Sequence, residues 1–568
     1  MQIMPLKRKN ILSFVLLLLA IILLVIIINN LVTFRVDLTG DKRYTVSAQS
    51  KQVIKNLDDV VFIRIYLDGE MPVQMKKFRT SVKEKIDELK RYSSKNIQYE
   101  FRNPSEGDEE RRTNLYIELR QKGLEPLTIY ESDIEGGATQ RVLFPGALVN
   151  YKGKELSVNF VQNNQVLSSE ENLNFALQNL EYELVNVIQK ISRVSEDKIA
   201  FIEGHGELND YESADILTSL AEYYNVERVT IDGMPGILNE YKAVIIAKPQ
   251  GRWSEADKFV MDQYIMQGGR TAWFIDAVQV FEDSLTVSER TFGIAANHNL
   301  DDQLFNYGVR INYNVLQDLQ CAPITVNVAP AGMPSQFQLV PWTYFPLLFP
   351  PSDNPITKGL NVVKSQYPGV IDTVGNNPAI KKTYLLYSSD KAKVTATPVL
   401  VSLSQIDESV AEKNFNQSYL PVAALLEGEF VSPFRNRITA NYTQGADFDV
   451  KVKSVPTKMV VVSDGDIIRN DVRRTGTRVT PMPLGYDRNT NITYGNKDFV
   501  KNIVNYLTDE NGLMEVKNRT FKMRLLDASK VAENHTQIII LNTLVPVVFV
   551  VICGILFIWY RRRKYTHF

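Results

Sequence analysis

Lys198-Ile199-Ala200-Phe201-Ile202-Glu203-Gly204-His205-Gly206-Glu207 is the stretch on which the reading of this chain turns. Its apolar run, 199–202, is short, continuous and stopped by glycines, the pattern of a strand buried on both faces. A helical pattern follows over 211–224, then strand-like runs at 226–231 and 243–247. Ser254 caps a helix to about Gln267, with Asp257 in the capping-box position and Gly268-Gly269 as the stop. The next strand, 271–275, closes on Asp276. A late apolar strand, 459–462, ends in Ser463-Asp464-Gly465-Asp466, and a helix over 497–507 returns to cover the sheet. Strands alternating with amphipathic helices imply an α/β domain with a largely parallel, doubly wound sheet, assigned to 196–512. Within it, about 310–440 is irregular, with a proline-rich stretch at 341–355.

Upstream, 31–195 reads as a separate domain. Residues 35–57 are a lead-in with a short helix capped by Ser47, and 60–67 is a strand rich in β-branched and aromatic residues. Apolar residues at 75, 78, 82, 86 and 89 give a helix over 75–92. A strand at 97–101, a helix over 108–122, strands near 127–130 and 141–151, and a long helix over 170–191 complete the order β-α-β-α-β-β-α. That is the order of a thioredoxin-like domain. No C-x-x-C is present, so the redox chemistry of that fold is not expected.

Farther out, 11–28 is an unbroken apolar run whose only polar member is Ser13. Eighteen residues at about 1.5 Å each cover most of a bilayer's roughly 30 Å hydrocarbon core. A second run, 538–560, is interrupted only by Asn542, Thr543 and Pro546. Lys7, Arg8 and Lys9 precede the first run; Arg561, Arg562, Arg563 and Lys564 follow the second. Basic flanks favour the cytoplasmic side. The expectation is therefore a two-pass protein of the inner (cytoplasmic) membrane. It has spans at 11–30 and 538–560, cytoplasmic termini at 1–10 and 561–568, a periplasmic body, and a connector at 513–537. A signal peptide is the alternative for the first run. Its length and the absence of a small-residue cleavage site speak for an anchor.

No acid precedes Asp37 or follows Glu533, so all 65 acids lie in the body while seven of the 64 basic residues lie in the flanks. The body is thus net acidic, which excludes a nucleic-acid partner on charge grounds. Cys321 and Cys553 are the only cysteines, and Cys553 falls inside the second span. An intrachain disulfide, cysteine catalysis and a cysteine zinc site are all disfavoured. No P-loop and no G-x-S-x-G elbow appears.

His205, Glu207, Asp276, Asp464 and Asp466 all fall just after expected strand ends, where open α/β sheets bind ligands. One reading is a rim of carboxylates and an imidazole holding a cation or small polar ligand. The other is turn chemistry, since glycine supplies positive φ and aspartate forms Asx-turns. The metal is unknown and no cofactor is implied. Trp342, Tyr344, Phe345 and Phe349 are a partner surface or, alternatively, packing under a loop. The leucine stripe of 170–191 is likewise core or a partner helix.

Several blocks together resemble ABC-transporter auxiliary proteins of the gliding-motility-associated GldG type. They are Arg35-Val36-Asp37-Leu38-Thr39, Lys42-Arg43-Tyr44-Thr45-Val46-Ser47, Gly204-His205-Gly206-Glu207, Met261-Asp262-Gln263-Tyr264 with Gly268-Gly269, Val462-Ser463-Asp464-Gly465-Asp466, and Gly495-Asn496-Lys497-Asp498-Phe499. The resemblance implies a component acting beside an ABC permease subunit and an ATPase subunit, linked to gliding and the associated protein-secretion machinery, in contact with membrane lipid. It also implies a class I amidotransferase-like middle domain. Cys321, in Leu319-Gln320-Cys321-Ala322-Pro323, lacks the glycines of that fold's nucleophile elbow, so the expectation is a non-enzymatic component. A solute or ion receptor using the rim or an interdomain cleft, and an amidotransferase-like or metal-dependent hydrolase, are the rival readings.

Overall fold

The computed structural model describes residues 15–23, 45–518 and 534–565, apart from short gaps at 94–95, 133–137, 162–167, 194–195, 330–332, 376, 405–411, 440–441 and 443–447. Two compact units result, one from residues 1–43 with 520–568 and one from 44–519.

The larger unit opens with helix α1 (Ala48–Lys55), whose N-cap Ser47 accepts from the Ser50 N–H. Strand β1 (Val61–Ile65), helix α2 (Val73–Lys90), strand β2 (Ile97–Phe101) and helix α3 (Glu109–Gln121) follow. The apolar positions 75, 78, 82, 86 and 89 of α2 are all buried, as one face of a 3.6-residue period requires. Strands β3 (Gly146–Tyr151) and β4 (Lys154–Asn159) close a four-stranded sheet of order β2-β1-β3-β4, with β1 and β2 parallel and the other pairs antiparallel. The strand expected at 141–151 is two strands. Ala138–Leu143 pairs with Leu127–Ser132 in a separate hairpin, and the chain breaks at Phe144-Pro145 before β3 because proline cannot donate to a ladder. Helix α4 (Ser169–Ile191) starts with a capping box between Ser168 and Glu171. It buries Leu180, Leu184 and Val187 in a core shared by β1 and the strands that follow, so its stripe is packing.

Next come β5 (Lys198–Glu203), α5 (Asp210–Ala221), β6 (Asn225–Thr230), β7 (Ala243–Ala247), α6 (Glu255–Met266) and β8 (Arg270–Phe274). After a long excursion come β9 (Ile380–Tyr387), β10 (Pro421–Gly428), β11 (Thr457–Val462) and helix α7 (Asn496–Thr508). They form one seven-stranded sheet of order β9-β10-β11-β8-β7-β5-β6. The five strands β6, β5, β7, β8 and β11 are parallel, and β10 and β9 add antiparallel at the edge. The region 310–440 is therefore more ordered than its sequence suggests, since it supplies two strands of the main sheet. Alternate residues of the parallel strands enter opposite cores: Phe201, Ile245 and Phe274 one, Ile202, Ile246 and Trp273 the other. Covering both faces is what lets these strands be apolar throughout. Trp342 and Tyr344 are buried, so that aromatic stretch is packing. Within the expected connector, Leu513–Asn518 is a 3₁₀ turn that buries Leu513, Met514 and Val516. Residues 519–533 lie outside the described residues.

In the other unit, helix α8 (His535–Tyr565) contains a 28-residue segment, Thr536–Arg563, in which an 18-residue window reaches a mean hydropathy of 2.8. At about 1.5 Å per residue it exceeds the roughly 30 Å core of a bilayer. Asn542 and Thr543 donate to the Ile538 and Ile539 carbonyls of their own helix, which lowers the cost of carrying these polar side chains in an apolar segment. It is the one helix among the described residues long and apolar enough to cross a membrane. Of the first expected span only 15–23 is described, as helix; the rest lies outside the described residues.

Candidate functional site

Numbered by sequence, the five parallel strands lie in the order second, first, third, fourth, fifth. The winding reverses between β5 and β7, so the loops leaving their carboxyl ends diverge and open a crevice at that switch point. A cleft of about 510 Å³ is found there, lined by Glu207 after β5, Lys248 after β7, Asp276 after β8 and Asp466 after β11. Gln366 and Tyr367, from the excursion, complete its wall.

Asp276, Asp464 and Asp466 come together, each offering an oxygen within 4.8 Å of the others. Their partners are internal. Lys248 Nζ lies 3.2 Å from Asp276 Oδ2 and donates to Asp466 Oδ2, while Arg469 Nε is 2.9 Å from Asp466 Oδ1. Asp464 Oδ1 accepts from the Asp466 N–H at 2.7 Å and Asp464 Oδ2 from the Gln366 N–H at 2.8 Å. Asp276 Oδ1 accepts from the Gly465 N–H at 2.7 Å. Gly465 is required by crowding: a Cβ there would fall 2.6 Å from Lys248 Cβ and 2.9 Å from Asp276 Oδ1. Lys248 itself sits at φ 55°, a left-handed conformation unusual for lysine.

The titration of the group follows from this packing. Burial works against the Lys248 ammonium, but Asp276 and Asp466 hold its proton more tightly than in an ordinary lysine. Burial also opposes ionisation of Asp466, and Arg469 and Lys248 overcome it, keeping that carboxyl below the usual range. Asp464, fully buried beside Asp466 and Asp276, is pushed well up. Two side-chain cations thus stand among three carboxyl groups. A divalent ion would have to displace Lys248, and Asp464 already spends both oxygens on backbone N–H groups, so the residues as placed do not fit a metal centre.

His205 and Glu207 form a different device. The imidazole stacks on Trp253, ring centroids 4.1 Å apart and planes 7° apart. Nδ1 is 3.2 Å from Glu207 Oε1 and Nε2 is 3.2 Å from Asp257 Oδ2. Burial alone would lower its pKa, but the two carboxylates push it up to about 9. At neutral pH the ring is an imidazolium with both N–H groups engaged, unable to ligate a metal or accept a proton. Asp257 also takes hydrogen bonds from the Ser254 hydroxyl and the Gly233 N–H, so His205 ties the β5 loop to the start of α6. The His205 carbonyl accepts from the Gln250 and Gly251 N–H groups of the β7 loop. Gly206, at φ 76°, lets the chain turn back toward Gln250.

Of the five residues singled out from sequence, Asp276, Asp464 and Asp466 share one cluster, Glu207 lines the same cleft, and His205 is held behind it. Lys248, Asp257 and Arg469 were missed. Lys248 follows β7 by one residue, whereas the five singled-out residues follow their strands by two or four, and a lysine at a strand end carries no ligand signature. Cys321 begins the strand Cys321–Asn327, outside the cleft lining, and burial with Asp318 nearby pushes its thiol up to about 12, far from a nucleophile.

No curated protein matches the chain. Among solved structures, the chain is similar to an mmIFT52 N-terminal domain, at 11% identity and a TM-score of 0.30, covering 58% of this chain and 100% of that one. It is also similar to a thua-like protein from Parabacteroides merdae, at 11% identity and a TM-score of 0.25, covering 59% and 94%. Residues 40–150 match a domain family of unknown function. Residues 196–503, more than half of the chain and including every residue of the cleft, match the family described as ABC-type uncharacterized transport system. The chain therefore belongs to that family of ABC-transporter auxiliary components.

Proposed function

We propose that this protein is a non-enzymatic, extracytoplasmic component of an ABC transporter complex of the gliding-motility type, linked to the associated protein secretion. Two membrane anchors and two cytoplasmic termini would hold its body in the periplasm beside a permease subunit, with a separate ATPase subunit supplying energy. The reading is supported above all by the rim of the main sheet. Where a hydrolase would present a free base, nucleophile or open metal position, Lys248 and Arg469 occupy the carboxyl cluster and His205 is locked as a cation. The strand order β2-β1-β3-β4, with its single parallel pair, supports a thioredoxin-like amino-terminal part. The second-first-third-fourth-fifth order supports the amidotransferase-like reading of the middle as fold without its chemistry. Tethering at both ends suits a fixed part of an assembly that receives or transmits conformational change. Extraction from the native membrane in mild detergent should recover the permease and ATPase subunits in stoichiometric amounts; a chain recovered alone would sink the proposal.

A second reading, a solute receptor, is favoured by one observation. The Tyr367 hydroxyl on the cleft wall is buried, and among the described residues only the Trp342 side chain approaches it as a polar partner, outside good hydrogen-bond geometry. A polar ligand in the cleft would satisfy it and raise the unfolding temperature of the folded chain. Failure of ions, sugars and peptides to do so in a broad thermal-shift screen would remove this alternative.

A further inference from the structure

The excursion between β8 and β9 contains a hairpin of unusual composition. Residues 319–352 include no Asp, Glu, Lys or Arg, although 23% of the chain is charged and a stretch of this length would carry about eight such residues at that rate. Strand Cys321–Asn327 pairs antiparallel with the outer half of Phe337–Leu348. The root of the hairpin is buried through Ala322, Trp342, Tyr344 and Leu348. Around its free end the described large apolar side chains are exposed: Met333 is 67% accessible, Phe337 69%, Leu339 47% and Val328 45%. Phe337 faces Asn327 and Leu339 faces Thr325, so the two large side chains share one side of the ribbon. Nothing in its composition or fold needs this end to be apolar for stability, because these side chains cover no core.

We propose that the free end of this hairpin, around Met333, Phe337 and Leu339, inserts into the interfacial layer of the lipid bilayer that holds α8. A bilayer penalises buried charge more severely than a protein groove does, and this stretch has none. Among the described residues, neighbouring chain reaches the edges only nearer the root, where Asn489 donates to the Pro323 carbonyl and Leu347 and Leu348 pair with Lys364 and Val363. A two-stranded end keeps edge groups that its own ladder cannot pair, so insertion stops at headgroup depth, where water still reaches them. Shallow apolar contacts are weak alone. Here 16 residues separate Asn518 from His535, a reach of at most about 60 Å, so the bilayer is always at high effective concentration. The inference rests on the membrane-anchored reading, and the experiment separates the two.

The full chain is reconstituted into phosphatidylcholine–phosphatidylglycerol vesicles with and without lipids carrying a quencher in the acyl chain. It is labelled with an environment-sensitive fluorophore at one cysteine at a time. In the first form Cys553, in α8, is the only cysteine (Cys321→Ser); in the second, Ser335→Cys at the hairpin end is the only one (Cys321→Ser with Cys553→Ser). Asp449→Cys in the same cysteine-free background serves as the exposed control. The expected result is quenching at 553 and at 335, with a blue-shifted emission at 335, and none at 449. Adding Phe337→Glu should abolish quenching at 335 while leaving 553 quenched and the unfolding temperature unchanged. Quenching at 553 but not at 335 overturns the hairpin proposal and leaves the anchor standing. A label at 335 shielded only when a permease is co-reconstituted also overturns it, in favour of a protein groove. Loss of quenching at 553 overturns the anchored reading and the hairpin proposal with it.

Discussion

The cleft rim and the 321–348 hairpin depart from the usual distribution of polarity in opposite senses. At the rim, carboxyl groups and cations are taken out of water and paired with one another or with backbone N–H groups, Asp466 Oδ1 through its ion pair with Arg469 alone. Asp464 is fully buried, and Lys248 and Asp276 are each only 14% accessible at the side chain. At the hairpin, apolar side chains are left in water and charge is missing altogether. Each costs free energy in an isolated soluble domain. The difference is that the rim's cost is repaid inside the chain, by hydrogen bonds and ion pairs, whereas the hairpin's is not. A region that closes on itself reads as scaffold; one that does not reads as a contact surface.

Removing one member of the rim should break the comparison most sharply. Lys248→Met leaves Asp276 and Asp466 buried with half their compensation, and should cost roughly 3–5 kcal/mol in denaturant unfolding of the detergent-solubilised chain. The next effect is one of pH. The folded pKa of His205, about 9, lies above its unfolded value, so the imidazolium contributes stability fully below about pH 6.5 and loses it as pH rises through 9. The loss should approach about 3 kcal/mol, and His205→Gln should flatten the dependence between pH 6.5 and 9.5. Gly465→Ala should cost about 1–3 kcal/mol, because the new Cβ meets Lys248 Cβ and Cγ at 2.6 Å rather than the mobile end of a side chain. Phe337→Ser should sit at the other end of the scale, changing unfolding by less than about 0.5 kcal/mol. A large loss there would mean that the hairpin end is packed like the rim, and the contrast would disappear.

Most of the parallel sheet was legible because its strands are short apolar runs, each ending in a glycine- or aspartate-rich turn, with capped helices between. Ser254 and Asp257, for example, mark the start of α6 as the capping pattern predicts. Strands β9 and β10 were not legible. They are separated from β8 by a hundred residues or more, pair antiparallel, and owe their place to contacts that no local period encodes. The split of 141–151 into two strands turned on Pro145, a local signal that apolar periodicity outweighed. At the site, strand ends located the acids, but the sequence carried no sign that Lys248 would be folded back among them. That placement needs a left-handed lysine and the missing side chain of Gly465, two features 217 residues apart. The role of His205 was hidden for a similar reason, since Trp253 and Asp257 reach it from the next loop.

The central claim is that Lys248 is the resident cation of the carboxyl cluster, which makes the rim a closed scaffold. A double-mutant cycle over Lys248→Met and Asp466→Asn tests it most directly, measured as unfolding free energy with and without millimolar calcium or magnesium. The account predicts that each single variant is destabilised, that the double variant loses less than the sum by at least about 1.5 kcal/mol, and that neither ion changes the wild-type value. Additive losses would show that Lys248 is not coupled to the carboxyl cluster, and a wild-type protein stabilised by either ion would show an open metal site; either result contradicts the account.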